Sequence, residues 1–494
     1  MSFRFISADE AAALVCNGEV VAISGLTPAG AVKVVPKAIA AKARQEHAAG
    51  RAFGIHLMTG GSNSPEVDGE LSNAGALLSR LPFQSNPDLR AHINAGEVKY
   101  TDLHLSDITQ SIRYGHLPRP RTAIVEVCDV TAEGELTFTT SESNSAGFCL
   151  YAERIILELN RYHDPRLREL HDIYLPQDYP HRGPIDIRRP WDRIGSKTLK
   201  VDPAKIVGIV ETNLPDGVKP FKEGSPATES IGRNIVRFFE QEYQSGRIPK
   251  EFPPIQSGIG NVANAVLGAI EESSIIPPIC MYTEVLQDTA FRLVKSGRCK
   301  FASSSTITVT EPLLQEIYAN FDFYKDKIVL RPTEISNNPE VARRMGVISM
   351  NTAIEADIFG NVNSSHFYGT KMMNGIGGSC DFARAAGLAV LSCPSVTKGG
   401  AISAIVPMVS HVDQTEHDVD VLATEQGIAD LRGLCPSDRA ACIIEHCAHP
   451  DYRPLLWRYL ELGKGSGHTP LSLPHAFAFH RAFLETGDMR NAIL

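Results

Sequence analysis

A single glutamate, Glu284, stands where the β-forming run Pro277-Pro278-Ile279-Cys280-Met281-Tyr282-Thr283 gives way to a segment of helical character, Thr289 to Lys295. A carboxylate at the carboxyl end of a buried strand occupies the place where open α/β sheets carry out their chemistry. Two glycine-rich stretches flank it in the sequence. Upstream is Gln256-Ser257-Gly258-Ile259-Gly260-Asn261-Val262-Ala263, and downstream is Met373-Asn374-Gly375-Ile376-Gly377-Gly378-Ser379. Glycine lets a backbone N–H come close to a ligand, because no side chain stands in the way. One carboxylate and two sets of amide donors are therefore the candidate working parts. Each has a plainer reading when taken alone: a carboxylate at a helix start, and glycines that make turns. Asn337 alone fits a cap for a helix beginning near Pro339, and Lys398, beside Gly399-Gly400, fits an exposed loop lysine. Glu355 and Glu425 are rival carboxylates, expected to serve structural hydrogen bonds.

The elements that must position these residues follow an α/β rhythm. Ser7 to Cys16 is a short helix with the capping-box spacing Ser7–Glu10. The apolar run Val20-Val21-Ala22-Ile23 suits a strand covered on both faces; the Gly25–Gly30 turn and a helix from about Ala31 to Glu46 follow. Strands are expected at Ile55–Ser62, Thr101–Ser106, Arg121–Asp129, Ile155–Asn160 and Ile206–Thr212. The Pro- and Arg-rich region His163–Arg193 is expected to be a long surface loop, a lid or an oligomer contact. Linker character at 215–228 divides the chain into domains 1–220 and 221–494. In the second, helices are expected at Thr228–Ser245 and Asn261–Ile270, strands at Phe301–Ser305 and Ile328–Arg331, and paired strands within Val347–Ile358. This alternation implies mainly parallel sheets. The similar build of the halves suggests a duplicated fold, without a sequence repeat to prove it.

Composition narrows the class. The chain has 494 residues, enough for roughly two to four domains. Hydrophobic content of 43% and charged content of 21% fit a globular protein. A net charge of −9 and a pI near 6.0 speak against nucleic acid as the main partner. The ten cysteines include no C-x-x-C and several sit in apolar runs, as reduced core thiols of a cytoplasmic protein do. Glu445-His446-Cys447-Ala448-His449 contains metal-ligating types but no second Cys/His pair at finger spacing, so no metal is assigned. The N-terminus shows no targeting pattern, and no run is long enough to span a membrane.

Four motifs stand in order in the second half: Gln256–Asn261, Tyr282-Thr283-Glu284-Val285-Leu286-Gln287, Glu334-Ile335-Ser336-Asn337-Asn338-Pro339, and Met373–Gly378. They resemble the acetyl-CoA hydrolase/transferase family of class I CoA-transferases, and the likeness runs nearly end to end. The resemblance implies two CoA-transferase-like α/β open-sheet domains, a homodimer, and no cofactor beyond coenzyme A as substrate. It places the covalent nucleophile at Glu284. It assigns the backbone amides of Ile259, Gly260, Asn261, Val262, Ala263 and Gly378 to CoA and the thioester oxyanion. Asn374 and Lys398 become CoA contacts, and Asn337 orients the thioester. Cys380 departs from the pattern, since relatives usually have glycine there; a side chain at that point would narrow or stiffen the loop.

Exchange of CoA between two carboxylic acids requires a carboxylate nucleophile. Its intermediates are an acyl-glutamyl anhydride and then a glutamyl-CoA thioester, which serine or cysteine cannot provide. Glu284 must attack ionised, and burial beside Val285 and Leu286 opposes ionisation. Each amide donor to the oxyanion lowers the barrier by ~3 kcal/mol. Binding of the remote parts of CoA can offset the uphill anhydride, provided water is kept out. The expected substrates are succinyl-, acetyl- or propionyl-CoA with acetate or succinate. An acyl-CoA hydrolase on the same site and a non-catalytic CoA-binding protein are the alternatives.

Overall fold

Continuous apolar runs become parallel strands covered on both sides. In the computed structural model, which describes residues 3–220 and 224–494, one sheet has the parallel order Lys99–Tyr100, Leu77–Leu81, Ile55–Thr59, Val20–Ile23, Thr122–Val130, Arg154–Asn160, Ile206–Thr212. Alternate residues serve opposite faces. Val21, Ile23, Ile124 and Ile156 join one core, while Ala22, Ala123, Val125, Ile155 and Leu157 join another. From Val20–Ile23 the strands are added first to one side and then, from Thr122–Val130, to the other. The order thus reverses between these two strands, which is where open sheets form a ligand crevice.

The Ser24–Gly30 loop lies at that reversal. Gly25 has φ +102°, and a Cβ there would stand 2.7 Å from Ala31 Cα, so only glycine fits. The helix expected from Ala31 begins at Val35 and runs to Ala48. Its delayed start has a physical cause: the Glu158 carboxylate accepts the amides of Lys33, Val34 and Val35. The N-terminal helix, Ala8–Leu14, has the Ser7–Glu10 capping box.

The contacts divide into two units. One comprises Met1–Pro220, Met281–Val294 and Lys300–Val341; the other comprises Phe221–Cys280, Lys295–Cys299 and Ala342–Leu494. The units are therefore not consecutive halves, and the segments carrying Glu284 and Asn337 group with residues 1–220. The boundary expected at 215–228 includes residues 221–223, which lie outside the described residues. In the second unit Ile255–Ser257, Ile348–Thr352, Leu388–Ser392 and Val421–Thr424 are parallel in that order, with Gly427–Asp430 antiparallel at the end. The helices Pro226–Gln244 and Asn261–Glu272 pack against each other.

Three expectations are corrected. Thr101–Ser106 is not a strand: the strand stops at Tyr100, and Leu105–Asp107 forms a short turn into the helix Ile108–Arg113. Leu105 is buried but Leu103 is not, so the run lacks two-sided apolar cover. His163–Arg193 is exposed in part, over 177–181 for example, but it is pinned by buried Leu167, Leu170, Ile185 and Ile187 and does not form one continuous surface loop. Asp172 within it pairs with the fully buried Arg331. The strands within Val347–Ile358 do not pair with each other: Ile348–Thr352 joins the parallel sheet, while Glu355–Asp357 pairs with Val362–Asn363 and Ile405–Val406. Among the described residues no helix is long and apolar enough to cross a membrane.

Candidate active site

Glu284 occupies the bend between two short strands, Ile279–Tyr282 and Val285–Leu286, and is partly buried. The helix after it starts at Asp288. Its peptide carbonyl accepts three hydrogen bonds, from Ser304 Oγ (2.7 Å), Ser305 Oγ (2.9 Å) and the Ser305 amide (3.0 Å). Its carboxylate Oε2 accepts the Asn337 side-chain amide at 2.5 Å. Asn337 is fully buried, and its Oδ1 accepts the Ser336 hydroxyl at 2.9 Å. The cap of the helix Pro339–Met345 is instead Asn338, whose Oδ1 accepts the amides of Glu340 (3.0 Å) and Val341 (3.4 Å). Asn337 is thereby left to face Glu284.

The bend is tied to the sheet reversal through its own unit. Val285–Leu286 pairs in parallel with Thr306–Ile307, and the Thr308 amide donates to the Leu286 carbonyl at 2.8 Å. Thr308 Oγ1 then meets Thr27 Oγ1 of the Ser24–Gly30 loop at 2.6 Å. Ser141 Oγ reaches Thr306 Oγ1 at 2.8 Å, and the Thr140 carbonyl accepts the Ile307 amide at 2.8 Å. The two side-chain contacts are hydroxyl–hydroxyl pairs, so each of these hydroxyls finds a hydrogen-bonding partner.

The glycine loops belong to the second unit, and each runs into a helix start. Gly260, at φ +118°, is the N-cap of Asn261–Glu272. The amides of Asn261, Val262 and Ala263 in its first turn have no intrahelical acceptor and lie at the positive end of the helix dipole. Ile259 is exposed, whereas Val262 and Ala263 are buried. Gly377 has φ +57°, and Gly378 is the N-cap of Ser379–Ala383. Asn374 is half-buried in that loop. Cys380 turns inward: its Sγ is 3.1 Å from the Asp413 carbonyl, and burial pushes the thiol up to about 12. Lys398 is exposed, with its ammonium 5.0 Å from the Phe483 ring centroid.

Residues 2–211 match the family model "Acetyl-CoA hydrolase/transferase N-terminal domain", and residues 314–460 match "Acetyl-CoA hydrolase/transferase C-terminal domain". The chain belongs to the acetyl-CoA hydrolase/transferase family. It is 46% identical to propanoyl-CoA:succinate CoA transferase of Escherichia coli over 98% of each chain. It is also 46% identical to succinyl-CoA:acetate CoA-transferase of Clostridium kluyveri, over 99% of this chain and 90% of that one. Acetyl-CoA hydrolase of Schizosaccharomyces pombe is 40% identical over 96% of this chain and 94% of its own. Among solved structures, RipA from Yersinia pestis aligns with a TM-score of 0.70 at 20% identity, covering 92% and 96% of the two chains. 4-Hydroxybutyrate CoA-transferase from Porphyromonas gingivalis aligns with 0.63 at 22%, covering 93% and 97%. The structural likenesses establish the fold, and the family match makes the chain an enzyme of the class I CoA-transferase type.

The two rival carboxylates of this acetyl-CoA hydrolase/transferase family member are committed to structural hydrogen bonds. Glu355 accepts from His480 Nε2 (2.8 Å), Asn363 Nδ2 (2.9 Å) and the Ser410 amide (2.8 Å). Glu425 accepts the Ser395 amide at 2.8 Å as well as its hydroxyl. Cys447 is buried, its Sγ 3.3 Å from the Leu422 carbonyl. One trio among the described residues, Glu126, His163 and Asp216, has ligand atoms close enough for a metal. Lys33 Nζ already lies 2.8 Å from Glu126 and 3.0 Å from Asp216, so an ammonium supplies the positive charge there. Sequence reasoning missed this buried cluster and missed the role of Ser304 and Ser305. The run Ser303-Ser304-Ser305 in a strand otherwise suited to burial was the available signal.

Proposed function

We propose that this family member is a CoA-transferase moving CoA between a short-chain acyl-CoA and a carboxylic acid, with Glu284 as nucleophile. The observation that carries the reading is a glutamate held at its peptide carbonyl by two serines and met at its carboxylate oxygen by a buried Asn337. Glu284 attacks the thioester carbonyl and expels CoA thiolate, forming an acyl-glutamyl anhydride. The thiolate then attacks the glutamyl carbonyl, releasing the first carboxylate and leaving a glutamyl-CoA thioester. A second acid reverses the sequence. The amides at Gly260–Ala263 and Gly378 would serve CoA and the oxyanion, Asn374 and Lys398 would hold CoA, and Asn337 would hold the carboxylate and thioester in line. CoA is the substrate, and no resident cofactor is needed.

The 46%-identical relatives, named for transfer between succinyl- or propanoyl-CoA and acetate or succinate, support those acids as substrates. A cytoplasmic homodimer is part of the same proposal. The second reading has water as acceptor, as the name acetyl-CoA hydrolase of some relatives describes for them. Incubation of the enzyme with succinyl-CoA and labelled acetate distinguishes the two. The transferase reading predicts labelled acetyl-CoA, parallel-line kinetics and little free CoA without an acid. Free CoA accumulating at the same rate without acetate would establish the hydrolase, and CoA binding with neither product would leave a binding protein.

A further inference from the structure

We propose that Ser304 and Ser305 are positioning residues that set the backbone of the nucleophile, an inference that rests on Glu284 acting in that role. A carbonyl oxygen has two lone pairs, yet the Glu284 carbonyl receives three donors: Ser304 Oγ, Ser305 Oγ and the Ser305 amide. Both serines are fully buried. The Ser305 peptide is itself gripped on its other side, where its carbonyl accepts the Glu142 amide at 3.0 Å. The Ser305 amide already gives this carbonyl one backbone donor, so the hydroxyls are additional to what the backbone requires. Ser304 Oγ also has a second acceptor, the Thr306 carbonyl at 3.2 Å, and lies closer to Glu284.

A glutamate side chain has three rotatable bonds, and its attack depends on where its root is held. Asn337 fixes the oxygen end and the serines fix the peptide plane, so few conformations remain between them. Reactions of this kind lose rate steeply when the attacking atom is displaced. Ser303, next to Ser304 in the strand Cys299–Ser304 and also buried, is a natural comparison. Its hydroxyl accepts from Arg331 Nε at 2.9 Å and does not donate to the Glu284 carbonyl.

The test compares wild type with Ser304→Ala, Ser305→Ala, the double variant and Ser303→Ala. It records kcat, KM for acyl-CoA, the single-turnover rate of CoA adduct formation, and Tm. Each single alanine at 304 or 305 is expected to lower kcat and the adduct rate about 10-fold, and the double variant about 100-fold. KM should stay within about twofold, while Ser303→Ala lowers Tm and leaves kcat unchanged. Wild-type kcat in the 304 and 305 variants would overturn the proposal. So would an equal kcat loss in Ser303→Ala, which would mark the whole effect as strand stability. A wild-type enzyme that forms no adduct and turns nothing over would instead overturn the proposed function, and this inference with it.

Discussion

At the scale of single residues, the decisive contact is the 2.5 Å hydrogen bond from Asn337 to Glu284. A donor to an ionised carboxylate is stronger than one between neutral groups, so Asn337 both favours the anion and aims it. Asn337→Ala is expected to lower kcat by about 100-fold with a smaller change in KM for acyl-CoA, as measured by steady-state exchange. A rise in KM with unchanged kcat would show that Asn337 only holds substrate. Adjacent Asn338 illustrates how finely the roles are divided: it caps the next helix, leaving Asn337 free of that duty.

At the scale of elements, much was legible in the sequence because the signals were local. Val20-Val21-Ala22-Ile23 and Ile206–Thr212 are apolar runs between turn residues, and both are strands within the ranges expected. The helices Pro226–Gln244 and Asn261–Glu272 carried their period in their own residues. Glu284 at the end of a strand, and the glycine loop before the Asn261 helix, were likewise visible, whereas the helix start at Ser379 was not expected. What was not legible depends on distant partners. Thr101–Ser106 has strand-like alternation but lacks a second covering layer. The Val35 helix start is displaced by Glu158, more than a hundred residues away in sequence. The burial of His163–Arg193 depends on Arg331 and its ion pair with Asp172. The grouping of Met281–Val294 and Lys300–Val341 with residues 1–220 is likewise a property of contacts and not of composition.

At the scale of the whole molecule, the family models match residues 2–211 and 314–460 and the 46%-identical relatives align over 98% and 99% of the chain, and stability rests partly on one buried charge cluster. His163 Nε2 lies 3.1 Å from Glu126 and 3.3 Å from Asp216, beside Lys33. Burial works against the imidazolium, but Asp216 and Glu126 more than reverse it, carrying its pKa from 6.5 up to about 9. The native state therefore holds this proton more tightly than the unfolded chain does. The stabilisation is complete below pH 6.5 and lost as pH rises through 9, and is worth about 3 kcal/mol. Glu158, which burial and then Glu126 push up to about 7, finishes most of its titration before the upper part of that window. Denaturant unfolding from pH 7 to 9.5 should show stability falling in wild type and a flatter profile in His163→Gln; equal slopes would contradict the assignment. The central claim concerns Glu284, and intact-protein mass after mixing with acetyl-CoA, without acceptor acid, tests it most directly. The account predicts a CoA-sized adduct that borohydride reduces at Glu284 and that is absent from Glu284→Ala. Adduct formation in the alanine variant, or turnover by wild type without any adduct, would contradict it.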